Sequence, residues 1–382
     1  MENLKHILIH YNEIALKGKN RDFFEKKLVE NIKNLTGAKV KRLSGRILAE
    51  TEADNFEETL KKLGGVFGIS SYSPVSETKT DLQEIKKEAL ISVKKMEGKT
   101  FKVETRRGYK QFALNSMEIS RDVGEYVLEN SKLKVDVKIP DIIINIEVLT
   151  DKTFVYTQKI KGPGGLPVGV SGKMLVLISG GIDSPVASYL MMKRGCNLDF
   201  IHFHSYPYTD KASIEKVEEI LKILDKYQKR HRLYLAPIIE FQKEIVKHAD
   251  ARYRVILYRR MMYKAAERIA YKIGAKALVS GDNLGQVASQ TIENMAVIGD
   301  GIKLPIMRPL VGFDKEEIIA LAKKIGTFGI SIEPQGDCCS VFLPKNPATK
   351  SRLDDIIREE KKVGMERWVE RIFGALLKNR DI

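Results

Sequence analysis

The chain has 382 residues, 43% of them hydrophobic, enough for two or three separate cores and too many for a disordered polypeptide. Lys and Arg number 65 against 50 Asp and Glu, and the formal charge of +15 points to a polyanionic partner. Three cysteines exclude a disulfide framework and fit a reducing, cytoplasmic setting; with no bilayer-length apolar run and no signal-peptide pattern in MENLKHILIHYNE, no membrane partner is expected.

Residues 1–57 read β-α-β: an alternating strand over 4–16, a helix over 22–34, then strands at 39–42 and 46–50, a small α+β unit of ferredoxin-like type. The basic loop from Lys17 to Arg21 is either a solvated turn or a nucleic-acid contact made by those two side chains. A second unit spans 58–165, with helices over 81–95 and 116–128 and strands at 101–107, 135–137, 142–149 and 152–159. Within it Arg106, Arg107 and Lys110 gather beside Tyr109 and Phe112, before Asn115 and Ser116 open a helix. Such cations can track phosphates while helix amides take one more, which gives affinity with little sequence reading; a solvated charged loop is the competing explanation. The run KGPGGLP at 161–167 is the clearest linker.

Residues 166–382 alternate strands and helices, as expected of a doubly wound, mainly parallel sheet with ligands at the carboxyl ends of its strands. Its first strand, 174–178, has no alternation and runs straight into Ser179-Gly180-Gly181-Ile182-Asp183-Ser184. Gly180 and Gly181 clear side chains from backbone amides, and Ser184 followed by Pro185 suits a helix N-cap and first turn. Strand, glycine loop and helix N-terminus together form an anion site without the spacing or lysine of the Walker loop. Further strands are expected at 198–204, 233–239 and 277–282, helices at 212–229 and 253–273, and a last helical stretch over 352–377. Arg259 on the long helix, Gly281 at a strand end and Gln290 beyond it are candidates to approach a nucleotide. Asp314 with Glu317 has the spacing of a capping box, which puts Lys315 in a first helical turn.

The SGGIDS loop resembles that of the PP-loop ATP pyrophosphatases (adenine nucleotide alpha hydrolase-like), which cleave ATP between the α and β phosphates and transfer AMP. The unit 58–165 resembles the THUMP domain, an RNA-binding module. The stretch RPL followed by the helix at Asp314-Lys315, and Asp337-Cys338-Cys339-Ser340-Val341, extend the likeness over almost the whole chain to the tRNA 4-thiouridine synthetase family. That resemblance implies a fold of ferredoxin-like, THUMP and PP-loop domains. It implies transfer of AMP to the position-4 carbonyl of a tRNA uridine, usually position 8, and replacement of that oxygen by sulfur, with ATP and Mg²⁺ as cofactors. It makes Ser179, Gly180, Gly181 and Ser184 phosphate contacts, and Leu177, Ile178, His202 and Phe203 adenosine contacts made mostly through main chain. Asp183 would orient the loop or help hold Mg²⁺, and Lys315 and Arg259 would face the phosphates; no protein-bound structural metal is expected. The catalytic cysteine aligns with Cys339 by its spacing to Val341 and with Cys338 by an ungapped count from Lys315, and both stay open. Cys196, at the start of a core strand, is read as structural. Since the sequence ends at Ile382 without a rhodanese-like domain, sulfur is expected from a cysteine desulfurase or as free sulfide, and a thiamine-related role is doubtful. A homodimer fits the family geometry. Two other readings stand beside it: a PP-loop ligase or amidotransferase working on a small molecule, and a non-catalytic RNA-binding protein.

Overall fold

A computed structural model of the chain describes residues 4–209, 211–334 and 342–378. The chain divides into two compact units, Met1–Pro167 and Val168–Ile382.

The first unit runs β1 (Leu4–His10), α1 (Arg21–Thr36), β2 (Lys39–Leu43), β3 (Arg46–Glu52), α2 (Phe56–Leu63), β4 (Ser71–Thr78), α3 (Leu82–Lys94), β5 (Thr100–Arg107), α4 (Ser116–Glu129), β6 (Lys134–Val135), β7 (Ile142–Val148), β8 (Thr153–Tyr156) and β9 (Ile160–Lys161). Among the described residues these strands form a single nine-stranded sheet, ordered β2-β3-β1-β4-β8-β7-β5-β6, with β9 beside β4. The strand expected over 4–16 stops at His10, and Glu13–Leu16 turns as a 3₁₀ helix that tucks Ile14 into the core. Strand β4 is absent from the sequence reading because Pro74 interrupts its β pattern, yet it is the hinge of the sheet: its first residues pair with β1 and Ser76–Thr78 with β8. Two apolar layers result, one around Ile7, Ile9, Leu28 and Ile32, the other around Ile85, Phe101, Val123 and Ile144. The buried Glu147 carboxylate joins them, accepting from His10 Nε2 and Tyr156 OH at 2.7 and 2.8 Å and from Arg46.

The second unit runs β10 (Lys173–Leu177), α5 (Asp183–Lys193), β11 (Asn197–His204), α6 (Ala212–Leu224), β12 (Leu233–Pro237), α7 (Ile239–His248), α8 (Arg254–Ile273), β13 (Leu278–Val279), α9 (Ile292–Gly299), β14 (Ile306–Met307), α10 (Lys315–Ile325), α11 (Phe328–Ser331), α12 (Leu353–Val363) and α13 (Met365–Lys378). All described strand pairs are parallel, in the order β12-β11-β10-β13-β14. Helices α5 and α6 cover one face; α8 and α13 cover the other, where Ala265, Ala266 and Ala270 let α8 approach closely. Buried Arg260 ties α8 to α12 through Glu360 at 2.8 Å. The stretch expected as one helix over 352–377 is two, broken at Gly364 with φ of 63°. Chain order reverses at β10, which lies between β11 and β13, so the crevice at the carboxyl ends of β10 and β13 is where such a sheet takes its ligand.

Candidate functional site

The 178–182 loop leaves β10 in that crevice. Its form is set by two serines: Ser184 Oγ accepts from the Ser179 amide at 2.9 Å and donates to Ser179 O at 3.1 Å, while the Gly181 amide leans on Ser179 Oγ at 3.4 Å. The sequence suggests Ser184 as the N-cap with the helix starting at Pro185; the helix instead begins two residues earlier, at Asp183, and the Ser184 hydroxyl closes the loop from inside the first turn. The first-turn amides of α5, which have no intrahelical acceptor, face the crevice end of the sheet. Gly281 supplies the second wall. A Cβ there would lie 2.8 Å from the Ser184 amide nitrogen, so this glycine serves the close passage of two backbone segments.

Two charged clusters flank the loop. Asp183 accepts from Lys315 Nζ at 2.8 Å and from Gln286 Nε2 at 3.2 Å, joining α5 to the first turn of α10 across 132 residues. Lys315 is presented there because Asp314 and Glu317 form the expected capping box. Behind them Asp282, 4% exposed, accepts from Tyr263 OH at 2.8 Å, Ser280 Oγ at 2.9 Å and Arg308 Nε at 3.3 Å, and also binds Arg259. Burial alone would raise the Asp282 carboxyl; the Arg259 charge, the hydrogen bonds of Tyr263 and Ser280, and Arg308 outweigh it and hold it at about 2. Arg259 is thus committed first to Asp282 and to Ser289, where the sequence suggests an arginine open to phosphate. Gln290 follows Ser289, its Oε1 buried without a hydrogen-bond partner among the described residues.

On the second strand, His202 is buried and its Nδ1 lies 3.0 Å from Ile178 O, while Phe203 is packed in the core. Both side chains are therefore engaged inside the domain. His204 is pushed down to about 4 by burial and by the neighbouring His202. Cys196 is buried, and burial pushes its thiol up to about 11. Cys338 and Cys339 lie outside the described residues. Among the described residues no cluster of three or more His, Cys, Asp or Glu has the arrangement of a metal centre. A cavity of about 820 Å³ opens at the other end of the sheet, between Lys173, Arg232 and Lys272, away from this loop.

In the first unit the expected cations separate into two groups. Arg107 donates to Phe112 O and Leu114 O at 2.9 and 3.0 Å and so folds the 108–114 loop. Arg21 is held by Glu25 and Tyr11, and Lys17 lies 3.6 Å from Glu13 and over the Phe24 ring. Ser116 opens α4, but the Met117 and Glu118 amides already serve Asn115 Oδ1, so that helix end is capped by its own chain. Arg106 and Lys110 have no ion-pair partner among the described residues, and Arg106 lines a concavity of about 570 Å³ with Lys159 and Lys161. The sequence gives those two lysines, Asp282 and Gln286 no functional role. Alternation in QKIKG and the strand-end carboxylate of VSGDN are the signals that could have found them.

A glycine loop at the switch point of a parallel sheet, closed by a helix N-terminus and a lysine-bound carboxylate, defines a PP-loop α/β domain shaped for a nucleotide's phosphates. Family models agree in three places: the ferredoxin-like domain of ThiI over residues 6–73, THUMP over 79–158, and the thiamine biosynthesis protein (ThiI) model over 169–365. A probable tRNA sulfurtransferase of Caldanaerobacter subterraneus is 48% identical over 95% of this chain and 97% of its own; that of Alkaliphilus metalliredigens is 44% identical over 98% and 97%. A crystal structure of a 4-thiouridine synthetase in complex with RNA and bound ATP superposes with a TM-score of 0.90 at 40% identity, covering 97% of this chain and 98% of that one. PH1313 of Pyrococcus horikoshii superposes at 0.63 with 27% identity, over 84% and 99%. The chain belongs to the ThiI family of tRNA sulfurtransferases.

Proposed function

We propose that this protein is an ATP-dependent tRNA uridine 4-sulfurtransferase. The observation that carries the reading is the meeting of Asp183 and Lys315 at the mouth of the serine-closed glycine loop, in a family member that also has THUMP and ferredoxin-like units. The O4 atom of a uridine, by family position 8 of tRNA, attacks the α-phosphorus of ATP and pyrophosphate leaves, which turns a poor leaving group into AMP. Loop amides from Gly180 to Ser184 and the Lys315 ammonium stabilise the departing charge. Mg²⁺ bound with the phosphates would supply further neutralisation, and Asp183, an exposed-edge carboxylate at the loop, is the residue suited to hold it. Arg259 keeps Asp282 charged and the strand end ordered, and reaches phosphate only by sharing its guanidinium. Leu177, Ile178, His202 and Phe203 offer main-chain groups to adenosine.

Sulfur then displaces AMP at C4. A persulfide on Cys339, loaded by a cysteine desulfurase, attacks through its outer sulfur; Cys338 next attacks the Cys339 sulfur, forming a disulfide that a thiol reductant reopens and freeing 4-thiouridine. Free sulfide would add directly and bypass both residues, and an exchange of the two cysteines' roles gives the same balance. Arg106 and Lys110, with Lys159 and Lys161, bind tRNA phosphates; Lys17, Arg21, Arg107 and Ser116 shape the surface around them. The active species is a cytoplasmic homodimer, with the catalytic domain divided from the RNA-binding part near 165.

Pyrophosphate release from ATP and Mg²⁺ is measured with and without unmodified tRNA, followed by nucleoside analysis after adding sulfide or a desulfurase with cysteine. The proposal expects release that needs tRNA and 4-thiouridine that needs sulfur. Release without RNA identifies a small-molecule ligase, and tRNA binding without release identifies an RNA-binding protein.

A further inference from the structure

The loop after β11 has a firm stem and an unusual tip. The Tyr208 and Thr209 amides donate to Ser205 O at 2.8 and 3.2 Å, and Ser205 Oγ donates to buried Gln242 at 2.7 Å. On this anchored turn Tyr206 is 41% exposed and Tyr208 58%. The Tyr208 ring centroid lies 5.2 Å from that of Phe342, with the planes tilted by 42°, and Lys211 Nζ is 5.4 Å from the Tyr206 ring centroid. Phe342 has φ of 61°, the one non-glycine among the described residues in the left-handed region. A bulky residue persists there only where its surroundings enforce it, as they do at working sites. Loop tips are ordinarily small and polar, whereas these rings leave apolar area in water unless a flat partner covers it.

The loop departs from the carboxyl end of β11, whose Ile201 pairs with Leu177 one residue before the glycine loop begins. The rings therefore rise from the same edge of the sheet as the phosphate loop. We propose that Tyr208, backed by Phe342 and flanked by Tyr206 and Lys211, is a stacking platform for the target uridine, with Lys211 meeting an adjoining phosphate; this rests on the thiolation reading above. A base inside a folded RNA exposes its ring carbonyl only after leaving its stack, and an aromatic face replaces the contact it gives up. Stacking requires a ring face and no particular hydrogen bond, so the platform fixes where the base lies while the ATP loop and sulfur donor determine what happens to it.

The test compares the full-length wild type with Tyr208→Ala, Tyr208→Leu and Tyr208→Phe, by 4-thiouridine formation on folded tRNA, KM for ATP, tRNA affinity by filter binding, and thermal melting. The platform predicts that kcat/KM for tRNA falls about ten-fold or more in the Ala and Leu variants, tRNA affinity and KM for ATP stay within about two-fold, and Tyr208→Phe restores turnover. Leu keeps apolar bulk without a ring face and serves where Ala lowers the melting temperature. Unchanged turnover in Ala and Leu overturns the platform. So does a rise in KM for ATP, which would assign the ring to adenine, or a Phe variant as impaired as Ala, which would assign the hydroxyl. Absence of 4-thiouridine from the wild type overturns the thiolation reading itself, and the platform with it.

Discussion

The two units use charge in opposite ways. In the second, side chains from five separate segments converge on one crevice, and nearly every charge there is matched: Asp183 with Lys315, Asp282 with Arg259 and Arg308. In the first, Glu147 neutralises the centre while Arg106, Lys110, Lys159 and Lys161 stand unpaired along the surface, among the described residues. Matched charge holds atoms to a fraction of an ångström, as phosphoryl chemistry requires. Unmatched charge attracts a long polyanion and tolerates its changing sequence.

If that contrast holds, the largest effect belongs to Asp183→Ala. Pyrophosphate release should fall by about a thousand-fold or more while tRNA affinity changes by less than about two-fold; parallel loss of both, by filter binding, would break the division of labour. Glu147→Gln should destabilise the first unit by about 3 kcal/mol in urea unfolding, because His10 and Arg46 lose a buried carboxylate. The same residue gives a pH test. Burial would raise the Glu147 carboxyl, but His10 and Arg46 with Tyr156 hold it at about 2 against an ordinary 4.5. Its contribution is complete above about pH 4.5 and is lost as pH falls toward 2, so the acid limb of stability should flatten there in Glu147→Gln. Gly281→Ala should cost about 2 kcal/mol and weaken ATP binding, since the new methyl meets the Ser184 backbone. Replacing Arg106, Lys159 and Lys161 with Gln should weaken tRNA binding by about ten-fold and reduce the salt slope by roughly 2, with kcat at saturating tRNA unchanged. Cys196→Ala should be smallest, about 1 kcal/mol of stability and no change in thiolation.

Sequence alone carried the glycine loop, the Asp314 capping box and most helices, because each is written in contiguous residues with a local physical cause. What escaped it is pairwise and distant. Nothing near Arg259 reveals that Asp282 will hold it, and nothing around Asp183 reveals Lys315, 132 positions away, as its partner. The Ser184 hydroxyl could have capped the helix; it bonds Ser179 instead, in a loop against which Gly281 brings a distant strand end. Strand β4 was obscured by Pro74, which a sheet tolerates where the proline lacks a donor but the neighbours supply the remaining bonds.

Strand β4 also sets a limit on how this molecule can be taken apart. One eight-residue segment completes the sheet on both sides, pairing with β1 through Ser71–Val75 and with β8 through Ser76–Thr78. A cut at either end awards the strand to one fragment and leaves the other with a naked β1 or β8, a row of unpaired amides and carbonyls that invites aggregation. Any break between the ferredoxin-like and THUMP parts therefore bares a strand edge, and dissecting their separate roles calls for point substitutions on an intact chain.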